Sequence, residues 1–176
     1  LLGVFSLMSG SGYDIKKFCD SSIGYFWNEN YGHIYPVLKI MEQEELITKQ
    51  VVKTEGRPSK NVYSITEKGT EELEAWLMLP VEPEPARSEL LLKIFWSKNI
   101  PVKNIIERLQ QEKEDSEKIL LQYAEVENSL KDNKDQIGKK NLVLWIITLR
   151  YGKYDAEAKI KWCDETLKIL EEIKDL

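Results

Sequence analysis

Histidine occurs once in these 176 residues and cysteine twice. No apolar run approaches the roughly 20 residues that a membrane-crossing helix requires. With so few Cys and His, and with Cys19 far from Cys163, a zinc site is excluded, because its ligands come in close pairs. Two isolated cysteines read as buried free thiols in a reducing cytoplasm, not as a disulfide framework. Residues 1–5 carry no positive stretch and no small-residue cleavage site, so a secretory signal is not expected. There is no glycine-rich phosphate loop, no paired carboxylates in a plausible site and no nucleophile–base set. An enzyme is therefore not expected, and nothing calls for a metal or a cofactor.

What is present is the balance of a globular protein, 42% hydrophobic and 31% charged, long enough for one substantial domain or two small ones. The net charge of −5 opposes wholesale wrapping of nucleic acid. The charge is unevenly spread, however. Residues 1–65 hold seven Lys/Arg and seven Asp/Glu, and within them residues 48–61 set Lys49, Lys53, Arg57 and Lys60 against Glu55 alone. A local basic surface suffices for DNA contact, because screening is short-ranged.

Residues 2–8 form a short apolar run read as a helix, broken at Ser9-Gly10. Ser11, with Asp14 three residues on, caps a second helix to about Ser22. An aromatic loop with Tyr25, Phe26 and Trp27 follows. Asn30 then caps a third helix, Tyr31 to about Glu45, whose inward face is Ile34, Leu38 and Met41 with Val37 beside them. Pro36 in its second turn predicts a small kink. Residues 46–54 and 61–65 are β-prone on either side of a Gly/Pro turn, which predicts a hairpin. A fourth helix is expected over Glu67 to about Leu79. Three prolines within residues 80–85 predict a stiff linker.

Beyond the linker the pattern is helical: Arg87–Ser97, Val102 to about Leu130, a turn over 131–140, and a last helix from about Lys140. In that last helix Leu142, Ile146, Leu149, Ala156, Ile160, Cys163, Leu167 and Leu170 follow alternating steps of four and three, with Lys153 the exception. Trp145, Ala158, Trp162, Ile169 and Ile173 form a second apolar stripe. A helix apolar on two sides needs two neighbours. The helix from Val102 serves one, and a second subunit is the economical choice for the other.

Three helices followed by a basic hairpin make a winged helix-turn-helix. In that geometry the third helix enters the major groove by its N-terminal end, and the hairpin reaches the flanking backbone. The expected fold is mainly α. A winged helix-turn-helix DNA-binding domain (three helices, two-stranded wing) spans 1–79, the Pro-rich linker 80–86, and an all-α dimerisation domain 87–176.

The stretch Tyr31-Gly32-His33-Ile34-Tyr35-Pro36-Val37-Leu38 and onward to Ile47 resembles the recognition helix of PadR-family transcriptional regulators. Gly12-Tyr13-Asp14-Ile15 is similar to that family's second-helix start. Gly56-Arg57-Pro58 with Tyr63 to Gly69 resembles its wing and the entry to its fourth helix. Arg87 to Phe95, Trp145, Tyr151-Gly152 and Trp162 resemble the larger helical C-terminal domain of one subgroup. The resemblance implies a homodimeric repressor that releases DNA when an effector binds; phenolic acids or hydrophobic drugs are effectors in some members. Asn30 stands where Ser is commoner, a harmless exchange of caps.

The candidate DNA contacts are Ser11, Tyr13, Tyr31, His33, Tyr35, Lys39, Arg57 and Lys60. His33 lacks partners at ligand spacing, which turns it from metal towards base contact. Tyr31 and Tyr35 either reach groove and phosphate or pack on the wing. Lys39 is a phosphate contact or a solvated lysine. Arg57, with Lys60 beside it, is the strongest wing candidate, and Ser11 and Tyr13 either bind phosphate or cap and pack. The candidate dimerisation residues are Leu90, Ile94, Leu149, Ile160, Cys163, Leu167 and Leu170. Trp96, Trp145 and Trp162 suit core or dimer packing better than an aromatic drug pocket. The mid-helix pair Tyr151-Gly152 predicts a close helix approach. The expected partners are pseudo-palindromic double-stranded operator DNA, a second copy of the chain, and an aromatic or hydrophobic small-molecule effector. The rival readings are a winged-helix module for protein–protein interaction and a small-molecule-binding helical protein.

Overall fold

The structure, a computed structural model, describes residues 1–53, 59–83 and 87–172. The chain forms two compact units, Leu1–Pro83 and Glu84–Leu176. The first contains α1 (Leu2–Phe5), α2 (Gly12–Ser22), α3 (Tyr31–Gln43), β1 (Ile47–Val52), β2 (Lys60–Ile65) and α4 (Glu67–Leu77). The second contains α5 (Glu89–Phe95), a 3₁₀ turn (Ser97–Asn99), α6 (Val102–Asp132), α7 (Lys134–Ile137) and α8 (Lys139–Glu172).

Local signals set the starts of these helices. The Ser11 hydroxyl accepts from the Asp14 N–H while the Asp14 carboxylate accepts from the Ser11 N–H, a reciprocal capping box. Asn30, Thr66 and Ser88 cap α3, α4 and α5 through their side chains. β1 and β2 pair antiparallel, Ile47 opposite Ile65 and Val52 opposite Lys60. Gly10 extends the ribbon by exchanging two backbone bonds with Tyr63, at 3.1 and 2.9 Å. One core of buried residues joins α1, α2, α3 and both strands, with Ile15, Ile34 and Leu38 at its centre.

Several ends differ from the sequence expectation. The first helix stops at Phe5, short of Met8. α3 continues through Pro36 but ends at Gln43, two residues early. The carbonyl that Pro36 deprives of a donor belongs to Gly32, which is exposed, so water can satisfy it. The early end has a clear cause. Leu46 N–H bonds to the Met41 carbonyl at 2.9 Å and Glu45 N–H to that of Glu42 at 3.2 Å, a Schellman closure with Glu45 in the left-handed region at φ 61°. Glycine is favoured there. Glu45→Gly removes about 1–2 kcal/mol of left-handed strain and returns part of it as unfolded-state entropy. The expected result is a gain of about 0.5–1 kcal/mol, read as a higher urea midpoint at unchanged slope.

The second unit requires a correction. Leu149 and Cys163 were candidate dimer contacts, yet both are 0% exposed within the protomer. Cys163 packs with Ile105 and Leu109 of α6, and Ile94, Trp162, Leu167 and Leu170 surround that cluster. Every described seam position of α8 is buried or half-buried, so the seam faces α6 of the same chain. The periodicity located a packed face but not its partner. Lys153, the odd residue in the seam, pairs with Glu127 of α6 at 2.9 Å. Lys131 and Lys153 together hold the Glu127 carboxyl down at about 2. The close approach at Gly152 is present: a Cβ there would lie 2.5 Å from the hydroxyl of buried Tyr123. Both cysteines are free, and burial pushes both thiols up.

Candidate nucleic-acid interface

The front turn of α3 lies open. Tyr31, Gly32 and His33 are exposed, and the Asn30 side chain accepts the His33 N–H at 3.0 Å. The first-turn N–H groups and the positive end of the helix dipole therefore face outward beside polar side chains. Tyr31 and Tyr35 stack with ring centroids 6.1 Å apart and 21° between planes. The Tyr35 ring also covers Gly12, where a Cβ would come within 2.8 Å of it. Glycine at that point lets the start of α2 approach α3.

Ser11, Gly12, Tyr35, Ser59, Lys60, Asn61 and Tyr63 line a cleft of about 290 Å³ between the start of α2 and the wing. Three sequence candidates (Ser11, Tyr35 and Lys60) meet in it. Two of them are already engaged. The Ser11 hydroxyl donates to Asp14 Oδ2 at 2.8 Å, and Lys60 Nζ lies 2.7 Å from the same oxygen. The Lys60 hydrogen bond, then the Ser11 N–H, lowers the Asp14 carboxyl from 3.8 to about 2. That stabilisation is complete above the ordinary Asp value and is lost as pH falls from about 4 to about 2. Exposure makes it small.

Tyr13 is exposed on the first turn of α2, and Lys39 is exposed on α3 with no ion pair among the described residues. Lys49 makes a loose pair with Glu42 at 3.5 Å. Arg57 lies outside the described residues. His33 does not join the cleft group; it meets Glu29 instead. Sequence reasoning missed Glu29, Trp27 and the service of Asp14 as a counter-ion. Only the four-residue spacing of Glu29 and His33 carried a signal, and it straddles the helix cap. Among the described residues no group of three or more His, Cys, Asp or Glu is placed to hold a metal, and no helix is long and apolar enough to cross a membrane.

Residues 1–75 match the model of the transcriptional regulator PadR-like family, and residues 86–171 match that of the virulence activator alpha C-terminal domain. A probable transcriptional regulator of Mycobacterium tuberculosis, Rv1176c, is 38% identical over 84 residues, 47% of this chain and 44% of that protein. The negative transcriptional regulator PadR of Bacillus subtilis is 33% identical over 98 residues, 54% of this chain and 53% of that protein. The alignment thus spans about half the length of these relatives. The crystal structure of smu.1604c from Streptococcus mutans superposes with a TM-score of 0.82 at 30% identity, covering 95% of each chain. Bacillus subtilis PadR in complex with operator DNA superposes with a TM-score of 0.80 at 21% identity, covering 96% of each chain, a likeness of fold.

Proposed function

The chain belongs to the PadR-like family of transcriptional regulators, and on that premise we propose that it is a sequence-specific DNA-binding regulator, not an enzyme, acting in the cytoplasm. Two copies hold one pseudo-palindromic operator. Their third helices enter successive major grooves about 34 Å apart, one turn of B-DNA. Repression follows from occluding a promoter, and an aromatic or hydrophobic effector relieves it by favouring a dimer of different spacing. The proposed units of action are a DNA-binding part over 1–79, the 80–86 linker and the dimerising part over 87–176.

The observation that carries this reading is the open, capped front turn of α3 beside a cleft that holds Lys60. The exposed apolar side chains of α5 and its C-cap (Leu91, Leu92, Phe95, Trp96) and of α8 (Leu144, Ile147, Tyr151, Tyr154) support self-association. The direct test is selection of bound sequences from a random duplex pool. Enrichment of an inverted repeat with half-sites 10–11 base pairs apart, about one turn, is expected; a pool returned without enrichment would remove the reading.

The phosphate contacts have their own readout. Lys39→Ala, Lys60→Ala and Arg57→Ala should each weaken binding evenly across sequences and reduce the salt slope by roughly one unit. Asp14→Asn works in the opposite sense. It frees Lys60 and removes a negative charge beside it, so affinity for random duplex should rise. If the slope stays put in all three lysine and arginine variants, the wing and α3 flank have no place in the mechanism.

A further inference from the structure

Glu29 is a carboxylate only 4% exposed, placed just before the cap of α3. Both of its oxygens are committed. Trp27 Nε1–H donates to Oε1 at 2.7 Å, and Oε2 meets His33 Nδ1 in a short contact. Burial raises the Glu29 carboxyl, but the hydrogen bonds from His33 and Trp27 outweigh it, and the net shift is downward. The group is thus an ionised acceptor, and an acceptor on Nδ1 requires the proton there. The ring itself is exposed on the first turn with Nδ1 turned to Glu29, and in the neutral Nδ1–H ring the other nitrogen, Nε2, keeps a lone pair.

Resting on the DNA-binding reading, we propose that Glu29 is a positioning residue for base readout: the Trp27–Glu29–His33 chain fixes the His33 tautomer and so presents Nε2 to the major groove as a hydrogen-bond acceptor. The base edges that match an acceptor are the amino groups of cytosine N4 and adenine N6. Guanine offers only acceptors there, N7 and O6, and is disfavoured. Without Glu29 the same histidine would present the opposite pattern. The selectivity of one base position then depends on a residue that touches no DNA, much as ligand histidines are oriented by the group behind them.

Glu29→Gln tests this with nearly unchanged shape. The glutamine Oε1 keeps the Trp27 hydrogen bond, which turns the amide NH₂ towards Nδ1. Nδ1 must then accept, and the proton moves to Nε2. Because His33 is the only histidine, nitrogen-15 spectra of the ring are unambiguous. Recorded in the alkaline range where the ring signals no longer move with pH, the intact protein should show the Nδ1–H form and Glu29→Gln the Nε2–H form. Selection from a random duplex pool should show the cytosine-over-guanine ratio at one half-site position falling by about fivefold in Glu29→Gln, the worth of one hydrogen bond. In the His33→Ala background the same substitution should leave the base ratio unmoved.

Glu29→Met, which has no acceptor, serves if the glutamine variant folds poorly and should also lose the Nδ1–H form. An Nε2–H ring in the intact protein, or an unchanged ring in both variants, overturns the proposal. Spectra as expected with an unmoved base ratio overturn Nε2 as a reading atom. An intact protein that retains no duplex at all overturns the regulator reading itself, so the two failures are told apart.

Discussion

Gly69→Ala should remove a large part of the stability of the N-terminal unit, a loss of about 2–4 kcal/mol. Gly69 sits in the first turn of α4, and a Cβ there would lie inside contact distance of the Leu46 carbonyl oxygen, with the Leu46 carbon at 3.0 Å and Ile65 Cγ1 also at 3.0 Å. Clashes with the ends of flexible side chains relax cheaply; this one is with backbone. The Leu46 carbonyl is also the anchor of the junction. It accepts from the Thr66 N–H and the Thr66 hydroxyl, both at 3.0 Å, and Thr66 Oγ1 in turn accepts from the Gly69 N–H at 3.0 Å. Moving the carbonyl away therefore breaks the cap of α4 and strains the Schellman closure of α3 together. Overpacking costs about 1–3 kcal/mol and loss of a cap about 1. Since a domain of this size holds only about 5–10 kcal/mol, operator binding should fall with it. Urea melts followed at the tryptophans, with hydrogen exchange of the α3 and β1 amides, check this. Thr66→Ser is the control, because it keeps the hydroxyl and should cost under 1 kcal/mol. A midpoint for Gly69→Ala close to the control would mean the junction gives way easily.

The two glycines show what a sequence discloses and what it withholds. Gly152 was legible, because it interrupts a long amphipathic helix where alanine would be better, so only a close neighbour justifies it; the neighbour is Tyr123. Gly69 lies in a polar first turn, where periodicity is silent and a glycine draws no notice. Its partner carbonyl is 23 residues away in sequence. The winged helix was readable from caps, from the Ile34–Leu38–Met41 face and from the apolar–polar alternation over residues 61–65, all local features. The α8 seam was half readable. Its period identified the buried face correctly, but a heptad step looks the same whether the facing helix is α6 or another chain; Leu149 is buried within the protomer and Cys163 packs on Ile105 and Leu109 of α6. The candidate site divided in the same way. Exposed α3 residues follow from their place off the apolar stripe, whereas Asp14 and Lys60 meet across 46 residues of sequence, and the Glu29–His33 spacing straddles a helix cap where side-chain direction is not set by helical period.

Burial of Leu149 and Cys163 within the protomer also decides how dimerisation is tested, and the expected effect on operator binding is large. Replacing Leu149 or Cys163 would collapse the protomer and leave dimer loss indistinguishable from unfolding. Phe95 and Trp96 differ: they are 77% and 73% exposed, edge to face at 5.1 Å. Tyr151 of α8 is likewise open. Phe95→Glu with Tyr151→Glu places charge where the isolated protomer has only solvent, so helicity should be retained. In an interface the same carboxylates would be buried without partners, at several kcal/mol each. The dimer should therefore dissociate at micromolar concentration by sedimentation equilibrium. On a full operator the second half-site then loses the benefit of tethering, an effective concentration near millimolar, and affinity should drop by about 10²–10⁴. Affinity for a single half-site should stay within about twofold, because α3 and the wing are untouched. A full-operator loss without dissociation would place these side chains at DNA, and an intact dimer with full affinity would move the subunit contact to another face.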